Sequence, residues 1–266
     1  DGGGVIFSQG NLTASGCHFD GASLHATNAS TGGKWVTITN QCQFSNAGYG
    51  VYLLSYPNFL IQNSSFSSNS TGIGLYQSGT GGGRQLLNNT ITSNGTGILV
   101  YNSLATLTSK NLVNNGNKIY NNYVGLQSYD NSQVSLTGYA GATTWSATQY
   151  IKDNTHYEVY ATQGSFPIPF RNNAIIDEDN SQPMLYYTGQ FNESLDVRNN
   201  YWGVNFFNQT DFYPWQIYNY IPVWTPGGGG GGSASGAESL YLAASENIEA
   251  EEYAVAKEGL EQIVDE

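Results

Sequence analysis

At 266 residues the chain is long enough for one large domain or two ordinary ones, and only 11% of it is charged. With 39% hydrophobic and 14% aromatic residues it can bury a core, which excludes a disordered chain, and its many Gly, Asn, Ser, Thr and Tyr residues favour short strands between tight turns. Through Gly236 there are 7 basic against 11 acidic residues (net −4), and from Ala237 onward 1 against 9 (net −8), a balance that excludes nucleic acid and anionic lipid as partners. No apolar run approaches the roughly 18 residues of a membrane span, so no membrane insertion is expected.

The chain begins Asp1-Gly2-Gly3-Gly4, without Met or a leader, and reads as a processed or excised part of a longer protein. Five segments then align without gaps, starting at Phe44, Phe66, Ile91, Ile119 and Ile151, with successive starts 22, 25, 28 and 32 residues apart. Each has an apolar residue, usually Asn three later, usually Gly six later, and an apolar residue at seven. A fixed motif with drifting spacing describes equal rungs carrying loops of different length, which is a solenoid. Each rung reads as strand, turn, strand. Val51/Leu53, Ile73/Leu75 and Ile98/Val100 alternate with period two and should face inward. The Gly before each is expected to supply a positive φ at a sharp turn. Asn69, Asn94, Asn122 and Asn154 should stack at one corner and satisfy its backbone groups.

Cys17 and Cys42 each lie two residues before a rung start, Phe19 or Phe44. Rungs about 4.8 Å apart fall inside the Cα range of about 4.4–6.8 Å that a disulfide tolerates. The pair should therefore stack on neighbouring coils, facing inward, either as a disulfide or reduced. Ten residues after the rung starts come Leu54, Tyr76, Tyr101 and Tyr129, next to inward positions and so on the outside. Such a ladder forms a flat aromatic strip at close to one sugar unit per coil. The alternative is that the tyrosines stack on one another and stabilise the sheet.

Further on, Phe170-Arg171-Asn172-Asn173-Ala174-Ile175 and Val197-Arg198-Asn199-Asn200-Tyr201-Trp202-Gly203 look like the same element in successive coils. These segments, with the Asn-x-Ile and Gly-Ile-x-Val rungs, give the chain its resemblance to right-handed parallel β-helix repeat proteins of the pectate-lyase-like superfamily. The likeness covers about 200 residues. It implies an all-β, single-stranded right-handed parallel β-helix over residues 1–226. It is specific for fold and not for activity, because that fold hosts lyases, hydrolases, epimerases and non-catalytic adhesion proteins. A Gly/Ser linker follows at 227–236. Residues 237–266 carry an apolar stripe at Tyr253, Ala256, Leu260, Ile263 and Val264 and resemble a truncated tetratricopeptide-like helical hairpin. The layout is similar to large bacterial surface proteins carried by type IX secretion, which implies a secreted or cell-surface location and a protein partner for the acidic tail.

The enzymes of that superfamily need motifs that the sequence lacks. There is no Asp-Asp pair, no Gly-His-Gly and no Arg-Ile-Lys. Asp177-Glu178-Asp179-Asn180 is the one dense carboxylate stretch in the body, making Asp177 and Asp179 the weak metal candidates and calcium the one cofactor left open. A hydrolytic acid pair would have to combine residues such as Asp153 and Glu158. His18, His25 and His156 lack a metal-binding partner set, and Arg171 and Arg198 read as side chains capping a neighbouring rung. The expected function is a non-catalytic extracellular module of a larger protein that binds neutral polysaccharide through Tyr76, Tyr101 and Tyr129. The competing reading is a polysaccharide lyase or glycoside hydrolase whose catalytic residues lie upstream or go unrecognised.

Overall fold

Short apolar runs broken every few residues by Asn, Ser and Gly cannot sustain a helix, and the chain folds as strands. A computed structural model describes residues 4–28, 32–109, 116–139, 148–178, 182–190, 192–221 and 223. The chain winds right-handed through three parallel sheets in turn. Sheet 1 has nine strands: Gly4–Ser8, Ser23–Thr27, Tyr49–Leu54, Thr71–Tyr76, Thr96–Tyr101, Val124–Tyr129, Tyr157–Ala161, Leu185–Tyr187 and Phe212–Tyr213. Sheet 2 has seven, from Leu12–Ser15 to Phe170–Arg171, and sheet 3 has seven, from His18–Asp20 to Ala174–Ile176. Seven coils pass through all three sheets. The expected rung of two strands is thus corrected to three. Sheet 2 escaped notice because Trp35–Thr39, Arg84–Leu87 and Leu104–Thr108 share alternation but few letters.

Stacking in register turns each inward position into a column. Ile73 pairs with Ile98 and Ile98 with Leu126, inside a column that runs from Leu24 through Val51 to Val159, Leu185 and Phe212. All three of those central residues are fully buried. In sheet 3, Phe19, Phe44 and Phe66 stack with ring centroids 4.8 and 4.9 Å apart and planes within 6°. Ile91, Ile119, Ile151 and Ile175 continue that column. Burying such side chains contributes roughly 1.5–3 kcal/mol each.

Three corners per coil leave backbone groups that no strand satisfies, and each corner meets them with its own column of polar side chains. Between sheets 3 and 1, Asn69, Asn94 and Asn122 each donate from Nδ2 to the Oδ1 of the next Asn, at 3.0, 2.9 and 2.8 Å, ending at Asn154. Each Oδ1 of Asn94, Asn122 and Asn154 also accepts the backbone N–H of the Asn before it. Between sheets 1 and 2 the column is Ser78, Ser103, Ser132 and Ser165, each hydroxyl accepting a backbone N–H from the coil before. Between sheets 2 and 3 it is mixed, running through Ser64, Asn89, Asn117 and Gln149.

The glycines of the motif do a different job from the one expected. Gly50, Gly72, Gly97 and Gly125 do not have positive φ; that conformation falls on Asn46, Ser68, Ser93 and Asn121, just after the sheet 3 strands. A Cβ on any of the four glycines would lie 2.6 Å from a carbonyl oxygen of the following coil. They are small because the next coil passes too close for a side chain.

Toward the C-terminal end, Asn173 Nδ2 donates to Asn200 Oδ1 at 2.8 Å and Ala174 pairs with Tyr201, so the two Arg-Asn-Asn segments do occupy successive coils. Trp202 is buried, stacked on Phe170 and edge-on to Phe212, and fills the end of the core. The linker 227–236 and the helical tail 237–266 lie outside the described residues. No helix among the described residues is long and apolar enough to cross a membrane.

Candidate binding surfaces

Sheet 1 carries most of the aromatic side chains that do not enter the core. Tyr76, Tyr101 and Tyr129 stand in register on its outer side, as the spacing implied. The rings are not flat with one another, however: centroids are 5.8 and 5.0 Å apart with planes at 43° and 63°. Two neighbours turn them. Tyr49 bonds hydroxyl to hydroxyl with Tyr76 at 3.0 Å, and Tyr52 packs on Tyr76 at 4.9 Å. Gly74, outward between Tyr52 and Leu99, leaves the space that Tyr49 fills; a Cβ there would sit 2.9 Å from the Tyr49 ring. Burial, then the Tyr49 hydroxyl, raises the Tyr76 pKa, and the Asp130 carboxylate bonded to Tyr101 raises that of Tyr101. The hydroxyls therefore stay protonated, and Asp130 brings one carboxylate to the edge of the row beside Tyr101.

A second aromatic run occupies the later coils and was not foreseen. Tyr157, Tyr186 and Tyr213 stack at 4.7 Å steps with planes within 29°, Tyr160 packs beside them, and His156 lies flat on Tyr123. Here the ring faces are covered by one another and the edges point outward. Tyr160, Tyr186 and Tyr213 share a register, with Tyr157 three residues before Tyr160 on its strand, but the irregular loops between these strands hid it in the sequence.

The other candidates fall elsewhere. Cys17 and Cys42 do lie on neighbouring coils at the corner between sheets 2 and 3, where Cys17 N–H donates to Cys42 Sγ at 3.4 Å; both are free thiols. They hold the column positions that Ser64 and Asn89 hold in later coils. Asp177 is buried and Glu178 pairs with Lys152 at 2.5 Å, while Asp179 lies outside the described residues. Among the described residues no group of three His, Cys, Asp or Glu could hold a metal. Asp153 pairs with Lys152 at 3.3 Å, and Glu158 is buried. Glu158 stands where earlier coils have Gly125 and Gly97, and its buried carboxylate accepts both the N–H and the Nδ2 of Asn154, closing the asparagine column. Burial raises its pKa well above the usual carboxylate range, against the lowering effect of Asn154, and Asp177 nearby raises it further. Arg198 clasps Asp196 of its own coil at 3.0 Å; that bond, more than the smaller effect of Arg171, lowers the Asp196 pKa.

Sequence reasoning missed one concavity altogether. At the outer side of the corner between sheets 2 and 3, a trough of about 560 Å³ runs across four successive coils. Asn40, Asn63 and Asn88 form one wall, and Gln43, Ser65 and Thr90 the other, with Lys118 at one end. The three Asn residues have φ of 56°, 51° and 51°, the left-handed conformation that Asn tolerates and that turns the chain between the sheets. Outward Asn and inward Asn are indistinguishable as letters, and that is why this wall was not seen.

A family model described as a right-handed beta helix region matches residues 3–175. No curated protein and no solved structure matches the chain.

Proposed function

The chain belongs to the right-handed β-helix family, and on that premise we propose that it is a non-catalytic carbohydrate-binding module of a secreted or cell-surface protein, taking neutral polysaccharide on the tyrosine face of sheet 1. One observation carries the reading: Tyr76, Tyr101 and Tyr129 repeat in register on the outer face of sheet 1, with neighbouring rings tilted by 43° and 63° instead of lying flat on one another. Sugars present C–H faces to aromatic rings and hydroxyls to polar ones, so a tilted row offers both contacts in every coil. The later stack at Tyr157, Tyr186 and Tyr213 is the poorer platform, because its faces are taken. The acidic segment 237–266 is then the part available to a protein partner.

Affinity electrophoresis and calorimetry against soluble neutral polysaccharides test this. Tyr101→Ala is expected to weaken binding at least tenfold, about 1.4 kcal/mol. Unchanged affinity in Tyr101→Ala and Tyr129→Ala would remove the tyrosine face as a site, and release of reducing ends from any polysaccharide would replace the non-catalytic reading with a lyase or hydrolase.

A further inference from the structure

We propose that the trough at the corner between sheets 2 and 3 is a second carbohydrate site, independent of the tyrosine face, for a neutral oligosaccharide of about four units lying along the solenoid axis, one unit per coil of about 4.8 Å. The walls are carboxamides and hydroxyls, supplied by Asn40, Asn63 and Asn88 on one side and Gln43, Ser65 and Thr90 on the other. A carboxamide both donates and accepts, which suits hydroxyl groups that do the same. The lining excludes other classes of ligand. No carboxylate lines the trough to hold a cation, a single Lys gives too little positive charge for a polyanion, and no apolar side chain is there to hold a hydrophobic peptide.

The asparagine wall is also held in place before any ligand arrives. Asn88 Nδ2 donates to Asn63 Oδ1 at 2.8 Å and Asn40 Nδ2 to Ser15 Oγ at 2.8 Å, which ties the outer row of amides across coils. The backbone beneath is fixed by Gln41 N–H to Asn63 O at 2.8 Å and Asn63 N–H to Leu87 O at 3.1 Å. A ligand that meets a fixed row loses less binding energy to ordering side chains. The volume of about 560 Å³ lies within the range of about 300–1,000 Å³ found for small-ligand sites.

The test is titration of the full 266-residue chain with cellohexaose, xylohexaose, mannohexaose and chitohexaose, following side-chain carboxamide and tyrosine ring signals by NMR. The expected result is that at least one oligosaccharide shifts the carboxamide signals of Gln43, Asn63 and Asn88. Thr90→Trp, which fills the trough from the exposed side of sheet 3, should weaken those shifts at least tenfold in apparent affinity, and Tyr101→Ala should leave them unchanged. Carboxamide signals that move with none of the four sugars, or that respond equally well in Thr90→Trp, overturn the proposal. Shifts confined to tyrosine rings overturn it while leaving the tyrosine face standing, and shifts confined to the trough do the reverse. The wild-type titration decides even if Thr90→Trp fails to fold, and Ser65→Trp repeats the block one coil away.

Discussion

The corner from sheet 3 to sheet 1 and the corner from sheet 2 to sheet 3 solve the same problem with different chemistry. The first repeats one residue, Asn69, Asn94, Asn122 and Asn154; the last three each accept two bonds from the coil before, and the first three each donate to the coil after. The second takes a thiol or a carboxamide as acceptor at the equivalent place, as Cys42, Asn89, Asn117 and Gln149 show, with Ser64 in the same column. The demand at both is a backbone N–H needing an acceptor. At the first the chain of amides runs through four identical residues, whereas at the second the same kind of chain spans Asn89, Asn117 and Gln149 and is preceded by Cys17, Cys42 and Ser64. A uniform column is therefore a structural commitment, and a mixed one leaves room for drift.

The largest effect should come from interrupting the uniform column. Asn94→Ala removes the acceptor of Asn69 N–H and Nδ2 and the donor to Phe66 O, all buried. At about 1–3 kcal/mol for each stranded group, a loss of about 3 kcal/mol or more is expected in urea unfolding. In the mixed column Asn89→Ser leaves a hydroxyl to accept the Ser64 N–H that Asn89 Oδ1 accepts and should cost less than half as much; equal losses would erase the distinction between the corners. Next comes Gly97→Ala, whose Cβ would lie 2.6 Å from Gly125 O. Forcing the coils apart should cost about 1–3 kcal/mol, whereas Gly82→Ala, with open space around its Cβ, should be nearly neutral.

Glu158 sharpens the contrast through pH. Its folded pKa is raised by burial, so between the unfolded value of about 4.3 and the folded one the native chain holds a proton that the unfolded chain has lost. Stability from this group is full below that window, falls as pH rises through it, and is constant above it. Glu158→Gln keeps an oxygen for Asn154 and removes the charge, so it should unfold at higher urea than wild type at pH 7 and lose that advantage at pH 4. An advantage that persists at pH 4 would assign the effect to packing instead. The smallest change is expected from Cys42→Ser, within about 1 kcal/mol, because a hydroxyl can accept the Cys17 N–H that the Cys42 sulfur accepts.

Legibility in the sequence followed the same division. Phe44, Phe66, Ile91, Ile119 and Ile151 and the uniform asparagines announced sheets 3 and 1 and the corner between them, because close stacking there tolerates few alternatives. Sheet 2 asks only for alternation, which Trp35–Thr39 and Leu104–Thr108 meet with different residues, and it left no motif. The tyrosine register could be read from spacing, but not the ring tilts, which depend on Tyr49 reaching across the space above Gly74. The trough was illegible because its Asn residues turn outward through a backbone conformation that the letters do not encode.

The asparagine column also has a direction. Along the amide-to-amide bonds the nitrogen always belongs to the earlier coil and the oxygen to the later one, so the chain of bonds runs one way without reversal. Its two ends are therefore chemically unlike: at the start Asn69 Oδ1 takes the backbone N–H of Ala47, and at the finish Asn154 must give its protons away, which it does to Glu158. A solenoid lengthened by duplicating an inner coil would inherit both terminators unchanged, but one rebuilt in reverse order of coils would present donors to donors at its finish.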